Sequence, residues 1–345
     1  MNFFDSLNGI KSPDTSSMSV ARDKWNNIAK PIGSLGNFED IVVKLSGIYG
    51  STNFNIDKRA LIVMCADNGV LAQGVAQTPG EITAVMSGFI AGGRSSVSIM
   101  AKHSHTDVIA VDMGMFKALY NNNILDRRIA SGTADFTKEP AMTRDQAEKA
   151  IQTGIEIVRQ CKEQGYKILA TGEMGIGNTT TSSAIASVLL NVSPNVATGR
   201  GAGLSDEGLN RKVDAINRGI LINKPDSNDP IDVLHKLGGF DLAGLCGVFL
   251  GGAIYEIPVI IDGFISSVAA LLAYRICEKS RDFMIPSHLS AEPACSAIYK
   301  ELNLSPAIHG NMRLGEGTGA VMLLPMLDMI LDVYKNTITY SDIGM

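Results

Sequence analysis

Apolar residues follow two rhythms along this chain. Short, mostly apolar runs lie at 59–66 (RALIVMCA), 107–113 (DVIAVDM), 166–171 (YKILAT), 258–261 (PVII) and 283–285, most of them closed by Gly, Pro or a polar loop. A run of that length, ended by a turn signal, reads as a strand buried on both faces. Elsewhere the spacing changes to a helical period, which predicts helices over about 81–100, 144–162, 182–191, 206–223, 230–237 and 242–254. Strands alternating with helices predict an α/β domain built on a parallel sheet.

The two ends of the chain differ from its middle. Residues 16–30, 38–49 and 318–334 read as helices, so a large α/β domain over 52–316 is expected, with a smaller helical lobe from 1–51 and 317–345. A length of 345 residues, at the upper edge of what one core supports, agrees with that division. Open α/β sheets bind ligands outside the carboxyl ends of their strands. The loops at 67–80, 113–116, 171–180, 262–264 and 286–292 are therefore expected to line one cleft.

Composition narrows the function. The formal charge of -5 comes from 30 basic and 35 acidic residues spread along the chain, without a basic run that could track nucleic acid. The apolar stretches are interrupted by Gly or charge before they could cross a bilayer, and the start carries no signal-peptide pattern, so a cytoplasmic protein is expected. Five widely spaced cysteines form no C-x-x-C and indicate neither a disulfide framework nor zinc. The 35 glycines exceed the usual share of roughly 7% and suggest many close backbone approaches.

Three segments could carry chemistry. Thr171-Gly172-Glu173-Met174-Gly175-Ile176-Gly177-Asn178-Thr179-Thr180 leaves a strand and enters a helix, where exposed N–H groups and the helix dipole attract an anion. It lacks the Gly-Lys-Ser/Thr of a P-loop, and it also reads as a Gly-rich turn with an Asn or Thr cap. Gly199-Arg200-Gly201-Ala202-Gly203 precedes a helix bearing Arg211 and Lys212, cations for a phosphate or for solvent. Glu316 stands between two glycines ahead of an apolar helix. There the helix dipole would lower its pKa and burial would raise it, two opposed effects. Asp262-Gly263 offers one acid where a pyrophosphate donor and its magnesium usually meet two, which disfavours that donor.

In order along the chain, Lys30-Pro31-Ile32-Gly33-Ser34-Leu35-Gly36, Glu139-Pro140-Ala141-Met142-Thr143, Gly172 to Thr180, Gly238-Gly239-Phe240-Asp241, Ser287-His288-Leu289-Ser290-Ala291-Glu292 and Arg313 to Gly319 resemble the nicotinate-nucleotide:dimethylbenzimidazole phosphoribosyltransferase family. The resemblance spans roughly residues 15–335. It implies a doubly wound, Rossmann-like, mostly parallel sheet, a helical lobe from both termini, and a homodimer. It further implies transfer of phosphoribose from nicotinate mononucleotide to a benzimidazole-type or other aromatic base, without metal or cofactor.

By that resemblance Glu316 and Glu173 are the candidate catalytic carboxylates. Gly175, Gly177, Asn178, Thr179, Gly201 and Lys212 fall around the mononucleotide, as do Ser290, Arg313, Leu314 and Gly315. Thr78 offers a hydroxyl near the acceptor base. Two positions depart from the family pattern: Asn68 stands where His is usual, and Met86 where Gln is usual. Met86 would leave a pliable apolar wall and open acceptor choice to another benzimidazole, a purine or a phenol, or it is a plain core methionine. Two other readings remain, a nucleotide-binding subunit of a heteromeric transferase and a nicotinamide-dependent oxidoreductase. An intact Glu316 argues against the first, and the missing G-x-G-x-x-G after the first strand against the second.

Overall fold

The computed structural model describes residues 3–117 and 123–344. Among these, six strands form one all-parallel sheet: β1 (Arg59–Ala66), β2 (Thr106–Gly114), β3 (Ile124–Asp126), β4 (Ile168–Met174), β5 (Val259–Ile261) and β6 (Met284–Pro286), in the order β3-β2-β1-β4-β5-β6. The order reverses between β1 and β4, which is the switch point of a doubly wound sheet and the place where a crevice opens.

β1 shows why the apolar run was legible. All eight of its residues are buried. Ala60, Ile62, Met64 and Ala66 join the core beneath helices Arg144–Glu163, Phe240–Ile254 and Phe264–Ile276. Leu61, Val63 and Cys65 join a second core with Trp25, Leu45, Leu324, Leu327 and Tyr334. Alternate residues thus serve opposite faces, the expected condition of a parallel strand covered on both sides.

The terminal helices Thr15–Asn27, Asn37–Tyr49 and Thr318–Asn336 meet on that second face. The Trp25 and Tyr334 rings lie 4.9 Å apart, and Arg59 on β1 pairs with Asp328 at 3.1 Å.

Several boundaries differ from the sequence reading. The expected helix 81–100 is two helices, Glu81–Ala91 and Ser96–His103, parted at Gly92-Gly93. β4 runs on to Met174, so Glu173 belongs to the strand end instead of a loop, and the next helix begins at Asn178 instead of 182. β3 and the helices Phe264–Ile276 and Cys295–Glu301 lacked a pattern to announce them. Every residue from Phe264 to Ala273 is buried, so that helix has no polar face to set a period.

The tightest packing in the first core joins helices Arg144–Glu163 and Phe240–Ile254 through Gly154, Gly244, Gly247 and Gly251. A Cβ on Gly247 would collide with the Ile151 carbonyl oxygen and lie 3.0 Å from the Gly154 Cα. Ala in a helix interior ordinarily gains about 1 kcal/mol over Gly. Here overpacking against backbone, about 1–3 kcal/mol, opposes that gain and exceeds it because backbone cannot rotate away. Gly247→Ala is expected to lower stability by up to about 2 kcal/mol in chemical denaturation, net of both effects.

Candidate active site

At the carboxyl ends of β1, β4, β5 and β6 lies a cleft of about 270 Å³. Its wall is drawn from segments 75–78, 173–179, 200–204, 262–266, 288–292 and 313–316, together with Ile82. Four of the five expected loops contribute. The loop at 113–116 does not line it; the Phe116 N–H instead donates to Asp67 Oδ2 at 2.7 Å.

Glu316 is placed by its neighbours. Gly315, Glu316 and Gly317 have φ of 82°, 62° and 96°, three consecutive residues in the left-handed region. Glycine enters it without strain, whereas Glu316 pays a steric penalty of about 1 kcal/mol or more. On the far side, Gly172 of β4 lets the loop press against the strand, since a Cβ there would strike the Glu316 carbonyl oxygen. The side chain is buried and its Oε2 has no protein partner.

The opposition between helix dipole and burial at Glu316 is resolved by Asp262. Its Oδ1 accepts from the Gly319 and Ala320 amides at 2.8 and 3.1 Å, and its Oδ2 from Gly317 at 3.1 Å. The N-terminal donors of helix Thr318–Asn336 are therefore taken by Asp262 and not by Glu316. Burial, with the Asp262 charge adding to it, raises the Glu316 pKa above the usual carboxylate range. Burial raises Asp262 as well, against its amide donors and the nearby His288, whose own pKa burial lowers.

Glu173, at the end of β4, reaches the same loop: the Glu316 N–H donates to its Oε1 at 3.4 Å, and Asn178 Nδ2 donates to its Oε2. Burial, above all, pushes Glu173 up to about 8, and neighbouring acids add to the rise.

A second group of side chains is suited to an anion. Gly177, in the left-handed region, turns the chain into helix Asn178–Leu189. Behind that turn Lys212 is fully buried, and its Nζ donates to Thr179 Oγ1 at 2.9 Å and to the Gly199 carbonyl at 3.1 Å. Burial lowers its pKa to about 8. The Gly201 N–H donates to Glu292 Oε1 at 2.9 Å.

Of the residues singled out from sequence, Thr78, Glu173, Gly175, Gly177, Asn178 and Thr179 line the cleft, and so do Gly201, Ser290, Arg313, Leu314, Gly315 and Glu316. Lys212 does not line it and acts from behind Thr179. Met86 does not line it either; it is half-buried against the second core. Asn68 is fully buried, with neither amide atom hydrogen-bonded to protein. Sequence reasoning assigned no role to His288, Glu292 or Ser266, and it treated Asp262 only as evidence about the donor. A polar residue just past each strand end was the signal available for them.

The raised pKa of Glu173 has a consequence for stability. A carboxyl group at about 8 when folded and near 4.5 when unfolded stabilises the fold fully below 4.5, and the contribution is lost as pH climbs through 8. Glu173→Gln removes this dependence. Between about pH 5 and 8, the stability of the variant relative to the unmodified protein should rise by the order of a few kcal/mol, read by denaturant titration at each pH. A constant difference would show that Glu173 is ionised throughout.

The geometry has relatives. The phosphoribosyltransferase family model DBI_PRT matches residues 10–345. The nicotinate-nucleotide--dimethylbenzimidazole phosphoribosyltransferase of Ruminiclostridium cellulolyticum is 44% identical over 342 residues, 99% of this chain and 97% of that protein. The enzyme of the same name from Acetivibrio thermocellus is 43% identical over 339 residues, covering 98% and 97%. The crystal structure of CobT from Thermus thermophilus superposes with a TM-score of 0.91 at 33% identity, over 96% of this chain and 99% of that one. A match over nearly the whole chain, in sequence and in fold, makes this protein a member of the DBI_PRT phosphoribosyltransferase family.

Proposed function

We propose that this chain transfers the phosphoribosyl group of nicotinate mononucleotide to 5,6-dimethylbenzimidazole or a related lower-ligand base, giving α-ribazole 5'-phosphate and nicotinate for assembly of the cobalamin nucleotide loop. The observation that carries the reading is Glu316, a buried carboxylate held in a strained backbone at the cleft with one oxygen unpartnered and its pKa raised. A carboxylate so placed is a stronger base than an exposed one. It takes the proton from one ring nitrogen of the acceptor while the other nitrogen attacks C1′, a general-base step worth typically about 10² to 10⁴ in rate.

The leaving group suits the same cleft. Nicotinate bound to ribose is a cationic pyridinium, so the C–N electron pair neutralises the ring as the bond breaks. Attack from the opposite face inverts C1′ from β to α. The N-terminal turn of helix Asn178–Leu189, with Thr179, Gly201 and the buried Lys212 behind it, supports a place for the 5'-phosphate. Glu173 is the second carboxylate of the reaction site. Holding both substrates in one geometry supplies much of the remaining acceleration.

The same reading makes the protein a homodimer, supported by the sequence resemblance and by apolar side chains at the surface, among them Met322, Met329 and Ile338. Among the described residues no helix is long and apolar enough to cross a membrane. Met86 lies outside the cleft lining, to which Thr78 and Ile82 contribute.

Glu316→Gln keeps shape and removes basicity. Nicotinate release by the purified chain should fall by about 10² to 10⁴ with mononucleotide binding retained; near-normal turnover contradicts the role of Glu316. In competition among dimethylbenzimidazole, purine and phenol acceptors, Met86→Gln is expected to shift preference by less than about tenfold, because Met86 acts only through packing. A reversal of preference would place residue 86 in the acceptor pocket.

A further inference from the structure

Beneath the cleft lies a carboxyl group that the reaction above does not use. Asp241, at the start of helix Phe240–Ile254, is fully buried, and its Oδ1 accepts from the Leu242 N–H at 3.0 Å. Its Oδ2 accepts from Asn178 Nδ2 at 2.9 Å, and the same nitrogen donates to Glu173 Oε2. An amide nitrogen has two hydrogens, so Asn178 is saturated by the two carboxyl groups. Glycines make the room. A Cβ on Gly175 would lie 2.7 Å from Asp241 Oδ2, and one on Gly239 would strike Asp241 Oδ1. The unbonded Asn68 amide packs against the same two glycines.

We propose that Asp241 is a positioning residue for the transfer reaction, acting through the Asn178 amide to fix the orientation and the charge of Glu173. The proposal rests on the transferase reading given above. A carboxylate needed only for a helix dipole has no reason to face a second acid deep in the protein. Two buried acids joined by one donor repel one another, an arrangement typical of sites where protonation is tuned.

The charged groups facing Glu173 are Asp241, across the amide, and Asp262, from the end of β5; Glu316 presents its backbone N–H. Asp67, from the end of β1, faces Asp241. Burial raises Asp241 to about 6 and Glu173 to about 8. Near neutral pH Asp241 is therefore charged while Glu173 keeps its proton.

The sign of each perturbation follows. Asp241→Asn removes a negative charge beside Glu173, so Glu173 ionises at lower pH. Asn178→Ser removes a donor to the Glu173 carboxylate, so Glu173 ionises at higher pH. The experiment titrates the infrared carboxyl band of Glu173, identified as the band lost in Glu173→Gln, alongside the pH profile of nicotinate release by the full chain.

In Asp241→Asn, the band midpoint and the limb of the kcat profile should both move acidward by about one pH unit. KM for the mononucleotide should change little, and the loss should fall on kcat. In Asn178→Ser the band should move the opposite way, which tests the bridge even where Asp241→Asn fails to fold. A uniform loss of activity with band and limb unmoved, or an unmoved band in Asn178→Ser, overturns the proposal. Shifted bands in a chain that releases no nicotinate with any base would support the pairing and overturn the transferase reading.

Discussion

One carboxylate, Asp262, sits where the sheet meets the terminal helix, and the site depends on it. It stands directly after β5 and takes three backbone N–H donors from the start of helix Thr318–Asn336. Those bonds join an element of the large sheet to a helix contributed by the C-terminal part of the chain, and the loop carrying Glu316 lies immediately before the helix. They also satisfy the helix N-terminus, so Glu316 is spared the dipole that would weaken it as a base. Charge-assisted bonds of this kind are among the stronger ones available to a backbone. Placing Glu316 and preserving its basicity are two results of one contact.

Much of the sheet was legible because parallel strands covered on both faces are apolar at most positions. The runs at 59–66 and 107–113 come close to that condition, with Arg59, Asp107 and Asp112 as exceptions, and fell on β1 and β2 almost to the residue. Topology alone placed the loop after β1 at the ligand-binding edge, whereas the loop expected there after β2 does not line the cleft. What sequence hid were features without a period or decided by distant neighbours. Helix Phe264–Ile276 is apolar all round, and β3 is three residues long. Glu173 looked like a loop residue because Gly172 precedes it, yet that glycine is in the strand to admit the Glu316 backbone.

Lys212 illustrates the same limit from the side of charge. On a helix rich in solvated residues, a lysine ordinarily faces water. Here it is fully buried, bonded to Thr179 and the Gly199 carbonyl, and only the approach of two segments far away in sequence makes that visible. The Lys30 to Gly36 segment, quoted for resemblance, proves to be organised around Glu39: Lys30 Nζ lies 2.6 Å from its Oε1, and the Leu35 N–H donates to the same oxygen at 3.0 Å. It lies outside the cleft lining, and Leu35 packs against the second core.

Glu173, Asp262 and Glu316 crowd together at the strand ends, while Lys212, Thr179 and Gly201 gather around the turn at Gly177. Three ionised carboxylates so close would repel one another and the phosphate of a mononucleotide. Burial opposes this by raising all three, and it pushes Glu173 up to about 8. A pyridinium beside these groups favours their ionised forms, and the cluster's basicity falls as its affinity for the ring rises. Departure of nicotinate, its ring now uncharged, reverses that balance, raising proton affinity at the carboxylates as the acceptor nitrogen gives up its proton. The donor's own charge thus offsets the carboxylates while the pyridinium is bound, and its loss accompanies the proton transfer proposed for Glu316.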